Sequence, residues 1–346
     1  MSTETHYLNL IQHSAGDEGW TSDMNNNLDK IDSAIDAALG SNVIINGGFE
    51  VAQRGTSFQV TNADQYTIDR WSAFANGGST VSVSQQEFEI GQTDVSGSPK
   101  NYVKVEITTG GITQLVTRIE DVHTFSNESV SFSFYAKADS PFTTKVVLYQ
   151  LFGSGGSDFV PVDYISYNIT TSWQKFEFTF NVPPIIGKTV GQGSYLQANL
   201  FREEATTENA TLYFAQAQLN AGNVALPYSS RPKALEELLC QRYFINATNS
   251  SKNPCSGIAS SETPSVISGQ QYPVTMRTTP TLSIYNYTNS SYVRDTHSGA
   301  GITLTTPIIL FGGTRRGFPG IYDPVSNPFI GGKLYDYGYV ADAELY

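Results

Sequence analysis

Between residues 42 and 231 the sequence offers strand after strand and no helix. VSVSQQEFEI, NYVKVEIT, SVSFSFYAKA, TKVVLYQLF, DYISYNI, WQKFEFTFNV, SYLQANLF and ATLYFAQAQL alternate apolar with polar residues, or run β-branched and aromatic. Loops rich in Gly, Ser, Pro, Asn and Asp separate them, which is the punctuation of short strands. Strand side chains alternate between faces, so Phe132 and Phe134 share one face, as do Phe176, Phe178 and Phe180. Eight or more short strands without intervening helices predict an antiparallel β-sandwich of jelly-roll type, two sheets over one apolar interior.

Composition fits that reading. Charged residues make up 15% of the chain, against about 25% in an average globular protein. Aromatics reach 12%, with 20 Tyr and 19 Phe, as expected of strands with polar but uncharged faces. The 346 residues allow two or three domains. The net charge is −12, and residues 1–40 hold seven acids against one base, Lys30. An acidic balance argues against a nucleic-acid partner and against docking on anionic lipid. The start MSTETHYLNL lacks a basic region followed by an apolar run, so no secretory signal is expected. No window is apolar enough to span a bilayer, so no membrane insertion is expected either. Cys240 and Cys255 are read as two thiols of a protein made in a reducing cytoplasm.

Four segments are expected. Residues 1–41 open with a looped stretch and continue in a helix over MNNNLDKIDSAIDAAL, ending at Gly40. In that helix Met24, Leu28, Ile31, Ile35 and Ala38 are spaced 4-3-4-3, the seam of a coiled coil. Isoleucine at both kinds of seam position leans towards three strands, so a homotrimer is expected, with two heptads that need support from other contacts; the alternative is a lone amphipathic helix packed on its own domain. Residues 42–231 are the sandwich. Residues 232–246 form a linker helix, with Pro232 in its first turn and Leu235, Leu238, Leu239 and Tyr243 on one packed face. Residues 247–346 are a second β-rich unit, ending on a strand tied into a sheet.

NVIINGGFEVAQRGTSF followed by YTIDRW, then SFSFYAKA, TSWQKFEFTF, LYFAQAQLNAGNVALPYSSRP and LEELLCQRYF, resemble in that order the carbohydrate-binding-module-like domain of bacteriophage tail fibre and receptor-binding proteins. PVTMRTTPTLSIYN resembles the region that follows it, and residues 1–40 are similar to the attachment segments that open such fibres. The resemblance implies a virion protein of the tail fibre, held to other virion proteins through residues 1–40 and meeting a host surface glycan or protein receptor. It also implies a calcium site at Glu50 with a second acid from the last strand. Ala215, Gln216 and Ala217 stand where that acid would be, so Glu50 is a weak metal candidate and no cofactor is expected.

The residues themselves predict structure at most of these motifs. Asn46-Gly47-Gly48 is read as a tight turn that sends Phe49 and Trp71 into the core. Asp69 can pair with Arg70 and Glu50 with Arg54, while Trp173 is expected to plug one end of the sandwich. None of His6, His13, His123 and His297 lies in a metal-binding or nucleophile motif, and no catalytic fingerprint occurs, so no enzyme is expected. The contact candidates are Tyr287 and Tyr292 in one loop, Arg315 and Arg316 in GGTRRGFPG, and Tyr335 and Tyr337 on one strand face. Tyrosine suits the flat faces and hydroxyl edges of sugars, and arginine grips surface carboxylates. The tyrosine row competes with a reading as ordinary core or subunit interface. Two rival functions stay open: a structural virion component without receptor binding, and a glycan depolymerase.

Overall fold

A computed structural model describes residues 3–4, 11–12, 24, 26–28, 30–31, 42–205, 207–248, 255–258, 260, 267–285, 292–295, 301–303, 308–309, 314–322, 329 and 334–346. It divides into two compact units, Met1–Arg231 and Pro232–Tyr346. At the start of the first, β1 (Thr3–Glu4) pairs with β2 (Ile11–Gln12). Residues 24, 26–28, 30 and 31 are helical. Of the expected seam, Met24 and Leu28 are 47% and 52% exposed and Ile31 is half-buried. Ile35 and Ala38 lie outside the described residues.

Ten strands follow: β3 (Ser57–Tyr66), β4 (Trp71–Glu87), β5 (Asn101–Ile107), β6 (Thr113–Ile119), β7 (Ser129–Ala138), β8 (Phe142–Leu151), β9 (Val160–Ile169), β10 (Gln174–Asn181), β11 (Tyr195–Glu203) and β12 (Ala210–Ala221). They hydrogen-bond in the order β10-β7-β12-β5-β4-β6-β11-β8-β9, with β3 also on β4. Every pairing among them is antiparallel. The long strand β4 turns this path into two layers. Trp71–Ala75 pair with β6, whereas Val81–Glu87 pair with β5. Between them Gly77 and Gly78 take φ of +59° and +86°, a bend open to residues without a Cβ. The first sheet is therefore β10-β7-β12-β5 with the second half of β4. The second is the first half of β4 with β6-β11-β8-β9. Strands that pass from one sheet to the other make the corners of such sandwiches.

The interior is aromatic. Phe132, Phe134, Phe180, Phe201 and Phe214 are at most 1% exposed, and Phe176 and Phe178 pack against them. Phe201 of the second sheet stacks on Phe214 of the first at 6.0 Å. Tyr167 of β9 meets Phe176 and Phe178 of β10 at 5.0 and 5.3 Å, across the side where the two ends of the path meet.

The NGG turn works differently from its sequence reading. The left-handed residues are Asn46 (φ +59°) and Phe49 (φ +57°). Gly47 is required by close approach: a Cβ there would lie 2.0 Å from the carbonyl oxygen of Ala217 in β12. Ala217 N–H donates to the Gly47 carbonyl at 2.9 Å, and Asn42 bridges the same strand through Ala217 O and Leu219 N–H, both at 3.0 Å. Phe49 and Trp71 are fully buried, with ring centroids 4.9 Å apart, and Trp71 Nε1–H donates to Asn46 O at 2.9 Å. Asp69 accepts from Gln53 N–H and Nε2–H at 2.6 and 2.7 Å, and Arg54 stands 4.0 Å from Asp69 rather than on Glu50.

The second unit opens with the helix Lys233–Gln241, preceded by Pro232. Its buried stripe is Glu236, Cys240 and Tyr243, spaced i, i+4, i+7. Leu235 and Leu238 are 47% and 42% exposed, against the expected packed leucine face. The strands are β13 (Phe244–Asn246), β14 (Cys255–Ile258), β15 (Ile267–Gln271), β16 (Thr281–Tyr285), β17 (Tyr292–Asp295), β18 (Gly301–Thr303), β19 (Ile308–Ile309), β20 (Gly317–Tyr322) and β21 (Leu334–Asp342). β21 is the hub, pairing with β13, β14, β16 and β17. Arg277 ties the segment after it, donating from Nε and Nη2 to Ala343 O and Glu344 O, both at 2.7 Å.

Candidate functional site

The outer face of the second sheet is the polar surface that the fold assembles most completely. Cross-strand register sets Tyr66, Ser72, Val116, Asn199, Val147 and Tyr164 side by side across six strand segments. A second row runs Asp64, Phe74, Gln114, Arg202, Lys145 and Ser166. None of these side chains belongs to the interior cluster. In the middle of the face they are nonetheless as shielded as a core: Ser72, Asn199 and Val147 are 0% exposed, Val116 1% and Gln114 9%. Exposure returns at the β9 margin, with 40% for Tyr164 and 60% for the neighbouring Phe159.

Buried polar groups need partners, and here they find one another. Asn199 Nδ2–H donates to Gln114 Oε1 at 2.8 Å, and Gln197 Nε2–H to Asn199 Oδ1 at 3.1 Å. Arg202 Nη1–H shares Gln114 Oε1 at 2.9 Å, while its Nε and Nη2 form a fork on Glu204 at 2.9 and 3.2 Å. That fork lowers the Glu204 carboxyl below its usual value. Burial raises the adjacent Glu203 carboxyl, with Thr144 and Lys145 opposing.

Each end of the row is closed by rings and a guanidinium. At one end Tyr149 hydrogen-bonds Tyr164 through their hydroxyls at 3.0 Å, and the Arg202 guanidinium lies 6.0 Å from the Tyr149 ring. Phe159 meets Tyr149 edge-on at 5.9 Å. Burial and the Tyr164 hydrogen bond push the Tyr149 phenol above its ordinary value. At the other end Arg118 sits between the rings of Tyr66 and Tyr195, 5.3 and 5.5 Å from their centroids, and pairs with Asp64. Part-exposed rings beside a guanidinium that shielded amides hold in place suit a hydroxyl-bearing ligand laid along the margin.

The outer face of the first sheet carries an aromatic patch. Trp173 lies there half-buried, not at an end of the sandwich, with Phe88, Tyr102 and Tyr213 at 5.4, 5.7 and 6.4 Å. Lys137 Nζ stands over Trp173 and Tyr213 at 5.3 and 4.9 Å. Lys137 of β7 is the cross-strand neighbour of Tyr213 on β12.

The contact candidates of the second unit fare differently. Tyr335 and Tyr337 are 0% exposed and belong to its core with Tyr272, Phe318 and Tyr339. Both leave the list of surface contacts, because alternation on the hub strand β21 points them inward. Arg315 and Arg316 are exposed. Arg315 Nε–H donates to Met276 O at 2.7 Å, and the two backbones bind Met276 and Tyr272 through the Arg315 and Arg316 carbonyls. Tyr292 opens β17, and Tyr287 lies outside the described residues. Glu50 is half-buried, and Gln216 on the last strand donates from Nε2 to Ser96 O at 2.8 Å. Among the described residues no group of three His, Cys, Asp or Glu is arranged to hold a metal ion.

Gln114, Gln197, Asn199 and Arg202 were not singled out from the sequence. Their signal was there, since polar residues alternate with Leu196, Ala198 and Leu200 in SYLQANLF. Alternation marks a face as outward but does not say that distant outward faces meet.

No protein-family model matches the chain, and no curated protein matches it. Solved structures are similar over about half of it. A family 4 carbohydrate-binding module is 18% identical, covering 51% of this chain and 98% of that one, with a TM-score of 0.31. The xylan-binding family 22 module from Paenibacillus barcinonensis is 18% identical, covering 49% and 95%, with a TM-score of 0.32. The enzymatically active domain of tailspike protein 4 of bacteriophage CBA120 is 14% identical, covering 52% of this chain and 21% of that one, with a TM-score of 0.32. Likeness at this level concerns the fold alone. The chain carries an antiparallel sandwich of the jelly-roll kind, followed by a second β-rich unit.

Proposed function

We propose that this chain is a bacteriophage tail fibre protein that binds host surface glycan through the outer face of its second sheet. The observation that carries the reading is the exposed margin of Tyr164 and Phe159 beside the Arg202 guanidinium, held in place by Tyr149 and by the shielded amides of Gln114, Asn199 and Gln197. The guanidinium and the tyrosine hydroxyls match sugar hydroxyls, and the marginal rings match sugar faces. The ordered sequence motifs of residues 42–285 supply the virion context, and residues 1–40 attach the fibre to other virion proteins. The role requires no chemistry, no nucleic acid and no membrane insertion; among the described residues no helix is long and apolar enough to cross a bilayer. Met24 and Leu28, exposed on one helix, suit a homotrimer that multiplies weak single contacts.

A glycan array probed with the full chain tests the reading. Retention of oligosaccharides, lost when Arg202 and Tyr164 are both changed to alanine, is expected. A chain that binds none of the array but stays locked among shell or tail proteins is the structural component instead. Shortened polysaccharide after incubation would make it a depolymerase.

A further inference from the structure

A second cavity of the first unit lies on the opposite sheet. It is a cleft of about 690 Å³, and its walls come from six separate stretches of chain. Tyr135 of β7 and Tyr228, beyond β12, both line it; Glu50, Gln216, Lys100 and Lys175 complete the residues that matter here.

The cleft exists because of a bulge. Register slips between Ala215 and Gln218 where β12 meets β7, and Gln216 takes φ +52°. A non-glycine residue in that region is strained, and bulges re-aim side chains beside sites. Gln216 is 5% exposed, and its bond to Ser96 O fixes the loop that forms the far wall. Tyr135 has small Ala215 as its cross-strand neighbour on one side and Lys175 on the other. The ring of Tyr135 therefore borders open space. The Tyr228 hydroxyl lies over Gly48, 3.0 Å from where a Cβ would stand.

Charge narrows the occupant. Lys100 faces Glu87 at 3.3 Å and Lys175 faces Glu177 at 2.6 Å, so both ammonium groups at the rim are balanced by carboxylates that do not line the cleft. Glu50 is the acid that lines it, half-buried and making no ion pair or hydrogen bond with the described residues. A divalent cation prefers several charged oxygen ligands, and Glu50 is the one carboxylate in the lining. A carboxylate acceptor, two phenol rings and a wall of serine hydroxyls instead fit a ligand that donates hydroxyl hydrogens and presents a flat apolar face. The volume falls in the range of small-ligand pockets.

We infer that this cleft is a second saccharide site, separate from the second-sheet face, which takes one or two uncharged sugar rings with their hydroxyls on Glu50 and a ring face on Tyr135 or Tyr228. Each protomer would then carry two sugar sites, one on each sheet.

The test is saturation-transfer NMR on the full chain with maltose, lactose, cellobiose and chitobiose as probes, followed by amide shift mapping. At least one disaccharide is expected to bind and to shift amides at Gly48, Gln216 and Tyr228. Glu50→Gln, a substitution of the same shape, and Tyr135→Ala are each expected to weaken that binding by about ten-fold, with thermal unfolding unchanged for Glu50→Gln. Absence of binding by all four probes would overturn the inference. So would binding that both variants leave intact, or shifts confined to Gln197 and Asn199. Binding that a chelator abolishes and millimolar calcium restores would also overturn it, in favour of a cation site at Glu50.

Discussion

Replacing Gly47 by alanine probes the contact on which the sandwich closes. The added Cβ would lie 2.0 Å from Ala217 O and 3.1 Å from Asn42 Nδ2. No side-chain rotation relieves this, because the first clash is with backbone. Either the turn or β12 must retreat by about 1 Å, as overpacked sites do at a cost of roughly 1–3 kcal/mol. That retreat stretches Ala217 N–H to Gly47 O and Asn42 Nδ2–H to Ala217 O, now 2.9 and 3.0 Å. Each buried hydrogen bond lost adds about 1 kcal/mol. The sum is about 4 kcal/mol, or a melting shift of about 10 °C for a domain of this size. Gly78→Ala is the control: its φ is +86° but nothing lies within 4 Å of a Cβ, so only backbone strain of about 1 kcal/mol applies. Urea unfolding followed by the fluorescence of Trp71, which sits against Asn46, reads both. A Gly47→Ala loss no larger than that of Gly78→Ala would refute the close-approach argument.

Phe159→Ala and Tyr164→Ala each weaken glycan retention on an array while changing stability by about 1 kcal/mol or less, because both side chains are exposed at the sheet margin. Neighbouring glutamates should give pH slopes of opposite sign. The lowered Glu204 carboxyl contributes stability above its unfolded value, which is lost as pH falls through the folded value. The raised Glu203 carboxyl costs stability as pH rises through its folded value; urea titrations of Glu204→Gln and Glu203→Gln across the acid range separate the two. Leu28→Asp should convert a trimeric full chain into single subunits by light scattering, without changing the fluorescence of Trp71.

Much of the sandwich was legible because its signals are local. Alternation placed Phe132, Phe134, Phe176, Phe178 and Phe180 on inward faces, and all of them pack in or against the interior. Gly47 was legible as a special residue but for another reason, since its neighbour in β12 is some 170 residues away. Trp173 and the Tyr335–Tyr337 row show the limit of single-strand reading. Whether a row of rings faces core or solvent depends on what covers it, and β21 is covered from its Tyr side. Leu235 and Leu238 of the linker helix fell outside the buried Glu236–Cys240–Tyr243 stripe, which hydrophobicity alone would not choose, while Leu239 is half-buried and Tyr243 is buried. The polar row was the least legible, because Gln114, Asn199 and Arg202 meet only once β6 and β11 pair in register.

Calorimetric titration of an array-selected oligosaccharide into the full chain tests the central claim most directly, comparing the native protein with the Arg202→Ala/Tyr164→Ala double variant and analysing the sugar afterwards. Binding at least about ten-fold weaker in the variant, with a lower melting temperature but a still cooperative unfolding transition and the oligosaccharide recovered at full length, is the expected result. Equal affinity in both proteins, or a shortened oligosaccharide, would contradict it.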